Sequence, residues 1–346
     1  MSNTASSIKG EKGLRAKCQE QFQTSFWKKL EQKGEYGGVR PRKARRPESR
    51  LSGSPAFRLS GSMLYAFFRL VRPLNGLIAS ISVIIGAFLA SGSISPFTSV
   101  MIVAIAAFLL LSAGNVLNDF CDIETDRINK PYRPIPSGQV KRRFALVFAI
   151  ALFVIGVGLG LLVNWIAFSV ACIVSALLAL YTIKLRRLLL VGNIVVGLLT
   201  GLTFISGGIA VGAVGRGVIY NARAFIPAIF AFLFTAGREI VKDIQDVKGD
   251  EAVGLLSLPI KWGQQKAMYA SFIFLALVIL ISPWPYFLGI YSLYYLICVV
   301  LGVDLVLIYC MLSLLRGLSK QNAAKVASLM KFDIFIGLGA IYLGGL

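Results

Sequence analysis

The chain has 346 residues, 56% of them hydrophobic, with a mean hydropathy of +0.74, a formal net charge of +20 and no histidine. The lack of histidine excludes imidazole acid–base chemistry, the Ser-His-Asp arrangement and most transition-metal sites. Five cysteines, an odd number without ligand-like spacing, support neither a disulfide framework nor a zinc site.

Residues 1–62 carry fourteen Lys or Arg against five Glu and are rich in Gly, Ser and Pro around PRKARRPESRLSGS. This composition predicts a basic, mostly disordered extension, either simply solvated or drawn to anionic headgroups at roughly 1 kcal/mol per basic residue near the surface. It lacks the apolar core of a secretory signal. Residues 63–72, MLYAFFRLVR, fit an interfacial helix with aromatics beside Arg69 and Arg72.

From there to residue 346 the chain reads as one all-α, multi-pass membrane domain. Its apolar runs are long enough to cross a hydrocarbon core of about 30 Å. Nine transmembrane helices are predicted, at roughly 74–92, 97–117, 144–163, 165–183, 188–213, 223–238, 267–287, 290–314 and 327–346. With the N-terminus in the cytoplasm, every Lys and Arg except Arg216 and Arg223 falls on the cytoplasmic side. The net charge is thus a positive-inside signal, and no nucleic-acid partner is expected.

Nine of the sixteen acids fall in two short clusters on that cytoplasmic side. Asn115, Asp119, Asp122 and Asp126 follow the second span at steps of four, three and four; Glu239, Asp243, Asp246 and Asp250 repeat those steps 124 positions later, after the sixth. On a helix each set forms a stripe on one face, and the shared spacing points to an internal repeat. Carboxylates and Asn amides are hard oxygen ligands suited to Mg²⁺, which takes one or two carboxylates beside substrate phosphate oxygens. Cations adjoin them: Arg127, Lys130 and Arg133 follow the first cluster, Lys242 and Lys248 interleave the second, and Lys184 and Arg186 share the side. Such a site opening into an apolar bundle suits an amphiphile with a diphosphate head and a hydrocarbon tail. The competing readings are two solvated acidic loops, a structural repeat without chemistry, and a divalent-cation or proton transporter.

Further positions carry expectations of their own. Phe204, Phe225, Phe230, Phe232 and Phe234 are expected to line the tail pocket or pack beside it. Asp333, beside Lys331 near the start of the ninth span, is read as one of an interfacial pair or as making a helix-end interaction, and Asp304, mid-span, as a buried hydrogen-bonding group or a site contributor. Gly156, Gly158, Gly160, Gly207 and Gly208 are read as close helix contacts.

Asn118 to Gly138, NDFCDIETDRINKPYRPIPSG, resembles the first signature of the UbiA family of intramembrane prenyltransferases, and Arg238 to Asp250, REIVKDIQDVKGD, resembles its second. The resemblance extends over about residues 64–346 and implies transfer of a prenyl group from a prenyl diphosphate to a membrane-embedded acceptor, with two Mg²⁺ ions. By it, Asn118, Asp122, Asp126, Asp246 and Asp250 organise the metals, with Asp119 and Asp243 in or near the same shell. Arg72 in VRPLN and Lys184 after Tyr181 in YTIK sit where the family contacts the diphosphate, and Lys184 ranks above Arg186. KPYRPIPSG, the second motif and LPI at 258–260 are most similar to the archaeal-type branch that attaches a second geranylgeranyl group to geranylgeranylglyceryl phosphate in ether phospholipid biosynthesis. The segment GLLSL at 254–258 departs from that branch, which more usually has Thr before LPI. Aromatic or tetrapyrrole (chlorophyllide-like) acceptors, used elsewhere in the family, are the alternative.

Overall fold

The computed structural model describes residues 55–212 and 222–346. The basic extension up to residue 54 and Arg216 fall outside them. Among the described residues nine helices are long and apolar enough to cross a membrane. They are α2 (Pro73–Ser91), α3 (Phe97–Cys121), α5 (Arg142–Leu161), α6 (Trp165–Ile183), α7 (Val191–Ala210), α8 (Ala222–Ala252), α10 (Gln264–Ile281), α12 (Leu293–Arg316, π-helical over Val299–Asp304) and α13 (Lys320–Gly344). Helix α1 (Pro55–Val71) precedes them, and α4 (Ile123–Asn129), α9 (Leu258–Trp262) and α11 (Trp284–Phe287) are short connectors.

Helix α1 begins at Pro55, well before the expected start at residue 63. Ala66 and Leu70, one turn apart, are buried, whereas Leu64, Tyr65 and Phe68 are exposed, so one face packs and the other does not. Proline at 73 ends the helix because it has no N–H to donate and crowds the preceding turn. Arg72 absorbs the change of direction in a left-handed conformation (φ 53°, ψ 65°), uncommon for a residue with a Cβ.

The two acidic stripes differ in their backbone. Helix α3 ends at Cys121, Asp122 takes φ −94° and ψ 14°, and α4 resumes at Ile123. Hydrogen bonds Asp122 N–H to Asn118 O (2.9 Å) and Asp126 N–H to Asp122 O (2.8 Å) carry the ladder across the bend. The first stripe is therefore bent, not laid along one straight helix. The second lies on a single continuous helix, since α8 runs on to Ala252, past the expected end of its span at residue 238.

Packing around α7 rests on missing side chains. A Cβ on Gly86 would meet the Phe204 carbonyl, and one on Gly207 the Val83 carbonyl, so α2 and α7 touch backbone to backbone. Similarly, Cβ atoms on Gly197 and Gly201 would lie 2.7 and 2.6 Å from the Phe232 and Ala228 carbonyls of α8. Dispersion between closely approached backbones, not apolar burial, favours association where the solvent is itself hydrocarbon. Gly156 and Gly160 make the expected contacts, with Leu110 and the Phe168 backbone, and Gly208 is buried; Gly158 has nothing within 4 Å.

Two acids of the last spans lie apart from the motifs. Asp304 is buried and accepts a 2.7 Å hydrogen bond from Ser282 Oγ, which answers its reading as a hydrogen-bonding group. Asp333 does not pair with Lys331: it is 2% exposed, neither of its oxygens has a hydrogen-bond partner among the described residues, and its electrostatic neighbour is Asp304. Two residues apart on α13, Lys331 and Asp333 point to different faces, and Lys331 turns to the cavity described next.

Candidate functional site

A cavity of about 420 Å³ runs between α2, α3, α6, α7 and α8, within the range of small-ligand sites. Its polar end is built by Arg72, Asn115, Asn118, Arg133, Tyr181, Arg238, Glu239, Lys242 and Lys331. Beyond them the wall is Ala79, Ala106, Leu110, Val174, Leu178, Val196 and Leu199, with Thr200, Thr203 and Ser206 on α7. Thr200 and Ser206 donate to carbonyls one turn back, at 2.8 Å each, and Thr203 donates to the Thr200 carbonyl at 2.7 Å, so these hydroxyl protons are satisfied within the helix. The five phenylalanines expected here do not line the cavity; Phe204 and Phe234 are buried in the core shared by α2, α7, α8, α10, α12 and α13.

The acids of the first motif meet cations from three directions. Asp119 is paired with Arg72 and with Arg133 (3.0 Å), and Arg133 also reaches Asp126 at 2.6 Å. Burial raises the Asp126 carboxyl above its ordinary range despite the opposing pull of Arg133. For Arg133 itself burial disfavours the charge, but Asp119 and Asp126 outweigh it and hold the guanidinium more firmly protonated than usual. Asp122 pairs with Arg186, which also reaches the Asn118 side-chain oxygen at 3.5 Å.

The second motif is tied to the first across the α4–α8 contact. Lys130 pairs with Asp246 at 2.5 Å, and Asn129 donates to the Asp246 carbonyl at 2.8 Å. Gly249 makes room for this, since a Cβ there would overlap the Asn129 amide. Gly249→Ala is accordingly expected to displace Asn129 and slow turnover roughly five- to tenfold, the worth of one hydrogen bond; initial rates at saturating substrate would measure it, and an unchanged rate would show that α4 docks without it. Asp250 is 4% exposed and within electrostatic reach of Arg186, Asp246, Lys130 and Asp126. Asp243 faces a smaller hollow of about 30 Å³ and accepts a 2.8 Å hydrogen bond from Asn193.

Several sequence-predicted residues stand elsewhere. Lys184 is exposed at the end of α6 and makes no ion pair among the described residues, whereas the 3-10 turn Leu185–Arg187 brings Arg186 to the acids. Arg127, expected beside a phosphate, forms an exposed pair with Glu124 at 2.9 Å, of the kind worth about 0–1 kcal/mol. Tyr181 borders both hollows, and Lys242 binds Glu239 at 2.6 Å. Asn193 and Asn129 are not singled out by the motif spacing, although Asn193 is the lone side-chain amide of α7.

Among the described residues no three carboxylates converge as a ready-made metal cage. The donor chemistry nonetheless fits Mg²⁺: the ligand candidates are oxygen only, and Asp246 Oδ1 and Asp250 Oδ1 are buried without a hydrogen-bond partner.

Residues 79–336 match the model of the UbiA prenyltransferase family. The chain belongs to that family. It is 37% identical over 283 residues to the digeranylgeranylglyceryl phosphate synthase of Methanocaldococcus jannaschii, covering 82% of this chain and 97% of that one. A solved structure of a digeranylgeranylglyceryl phosphate synthase superposes with a TM-score of 0.62 at 37% identity, over 82% of this chain and 98% of that chain. The fold also matches a UbiA homolog from Archaeoglobus fulgidus bound to GPP and Mg²⁺, with a TM-score of 0.58 at 16% identity over 80% and 99% of the two chains. As a UbiA member the protein is an integral, multi-pass membrane prenyltransferase, and the transporter alternative falls.

Proposed function

We propose that this enzyme transfers a geranylgeranyl group from geranylgeranyl diphosphate to geranylgeranylglyceryl phosphate, forming the second ether bond of an isoprenoid lipid. The observation that carries this reading is the cavity itself, which joins a polar, cation-rich end, bordered by Asn118 and Arg133 of the first motif, to a long apolar wall, the two-part character of a prenyl diphosphate. Kinship with digeranylgeranylglyceryl phosphate synthases supports the acceptor, and the GPP- and Mg²⁺-bound homolog supports the donor class and the metal.

In this reading Asn118, Asp122, Asp126, Asp246 and Asp250 hold Mg²⁺, with Asp119 and Asp243 beside them. When bound, the metal supplies positive charge to the departing pyrophosphate oxygens. Arg133, Lys130, Arg186 and Arg72 add donors around the same head, where charge-assisted hydrogen bonds are strongest. Asn193 fixes the orientation of Asp243, and Asn129 fixes α4 against α8. The apolar wall keeps water from the reacting carbon. The bond between that carbon and the diphosphate oxygen breaks with both electrons leaving on pyrophosphate; the acceptor hydroxyl oxygen forms the ether bond and releases its proton. The site faces the cytoplasm in this proposal, following the distribution of Lys and Arg.

The test incubates purified protein with geranylgeranyl diphosphate, Mg²⁺ and a panel of glyceryl ether phosphate, aromatic and tetrapyrrole acceptors. Pyrophosphate release with an ether-linked product from the glyceryl ether phosphate is expected, and chelation with EDTA is expected to stop it. A product from the aromatic or tetrapyrrole acceptors alone would overturn the assignment.

A further inference from the structure

The cavity's polar end holds a second group of cations that the diphosphate site does not use. Arg238 and Lys242 lie one turn apart on α8, and Lys331 reaches the same wall from α13. Arg238 is fixed to α13 by its Nε–H donating to the Ala327 carbonyl at 3.1 Å. Against these three stands one carboxylate, Glu239, which Lys242 engages at 2.6 and 2.8 Å and Arg238 at 3.2 Å. Lys331 has no anionic partner among the described residues, and its electrostatic neighbours are Arg238, Arg72 and Lys242, all positive. Of these, Arg72 is already committed to Asp119.

A lysine held against like charges inside a membrane span is costly unless an anion accompanies it. The proposed pyrophosphate end has its own cations in Arg133, Lys130 and Arg186, paired with Asp126, Asp246 and Asp122 respectively. Arg238 lies eight residues before Asp246 on α8, about 12 Å along the axis. Lys242 lies between them, about 6 Å from Asp246, so the group extends from beside the diphosphate site one to two turns deeper along the cavity wall, an arrangement that suits two anions on neighbouring reactants. We infer that Lys331, with Arg238 and Lys242, forms a second anion site that binds the phosphate monoester of the acceptor, so that a short glycerol spacer presents the acceptor hydroxyl to the prenyl carbon. The inference rests on the proposed function and supplies what would select a phosphorylated acceptor over an uncharged one.

The test compares wild type, Lys331→Gln and Lys331→Arg, each first checked for a monodisperse elution profile. Two acceptors are used, a geranylgeranyl glyceryl ether phosphate and the same ether after phosphatase treatment. Lys331→Gln is expected to lower the ratio of kcat/KM for phosphorylated over dephosphorylated acceptor about tenfold, the worth of one charge-assisted hydrogen bond, and Lys331→Arg to restore most of it. Without prenyl diphosphate or Mg²⁺, the phosphorylated ether is expected to raise the thermal midpoint of wild type more than that of Lys331→Gln. An unchanged ratio in Lys331→Gln, with wild type still active on the phosphorylated ether, would overturn the anion site and leave the proposed function standing. No product from the phosphorylated ether with wild type, beside product from another acceptor, would overturn both.

Discussion

Asp122→Ala and Asp246→Ala are each expected to reduce prenyl transfer by about three orders of magnitude, the range seen when one preorganised charge-stabilising group is removed. The two positions act from opposite sides of the α4–α8 contact. Asp122 sits at the bend between α3 and α4 and balances Arg186; Asp246 lies on the continuous helix α8 and balances Lys130. Alanine at either removes a candidate metal ligand and leaves a mostly buried cation without its partner. Asn at the same positions separates these effects, because it keeps an oxygen and the side-chain size while removing the charge. Pyrophosphate release and product mass would be measured beside the elution profile. Near-normal turnover in either alanine variant, with the protein folded, would contradict the role given to that carboxylate.

The second large effect is structural. Gly207→Ala is expected to lower the thermal midpoint in detergent by about 5 °C or more, because forcing one methyl group into a filled contact costs about 1–3 kcal/mol. The added Cβ would fall on the Val83 carbonyl and beside the Ala87 nitrogen, and backbone on both sides has no rotamer with which to yield. Because Ser82 and Ser206 flank this crossing and line the cavity, the separation of α2 from α7 is expected to slow transfer as well. Gly158→Ala is the matched control: nothing lies within 4 Å of its Cβ position, and alanine is the better helix former. Equal melting of Gly207→Ala and wild type would show that the crossing relaxes freely.

What the sequence made legible follows from how each signal is encoded. Span number and placement come from hydropathy summed over many residues, so single-residue details hardly disturb them. The second acidic stripe lies on a regular helix, and its spacing alone located its face. The first stripe bends at Asp122, where neither proline nor glycine marks the change in ψ. The placement of Arg186 and Lys184 is illegible for a related reason: past Ile183 the helical period lapses, and a 3-10 turn decides which side chain swings toward Asp122. The cavity wall was the hardest part to read. A span that is apolar all round carries no polar face to set its rotation, so whether phenylalanines or small residues meet the cavity depends on the glycine contacts between neighbouring helices.

Along α3 the cavity wall extends from Val103 to Asn118, about 22 Å at 1.5 Å per residue, much of the thickness of a hydrocarbon core. The lining residues farthest from the charged end are Val103, Gly160, Ala167 and Ile209, mostly small side chains. Under the proposed function the two ends of one cavity divide the work, charge at the cytoplasmic end of α3 and volume at the other, so that side chains of different size at Val103 or Ala167 would change the space for a tail without touching a single charge.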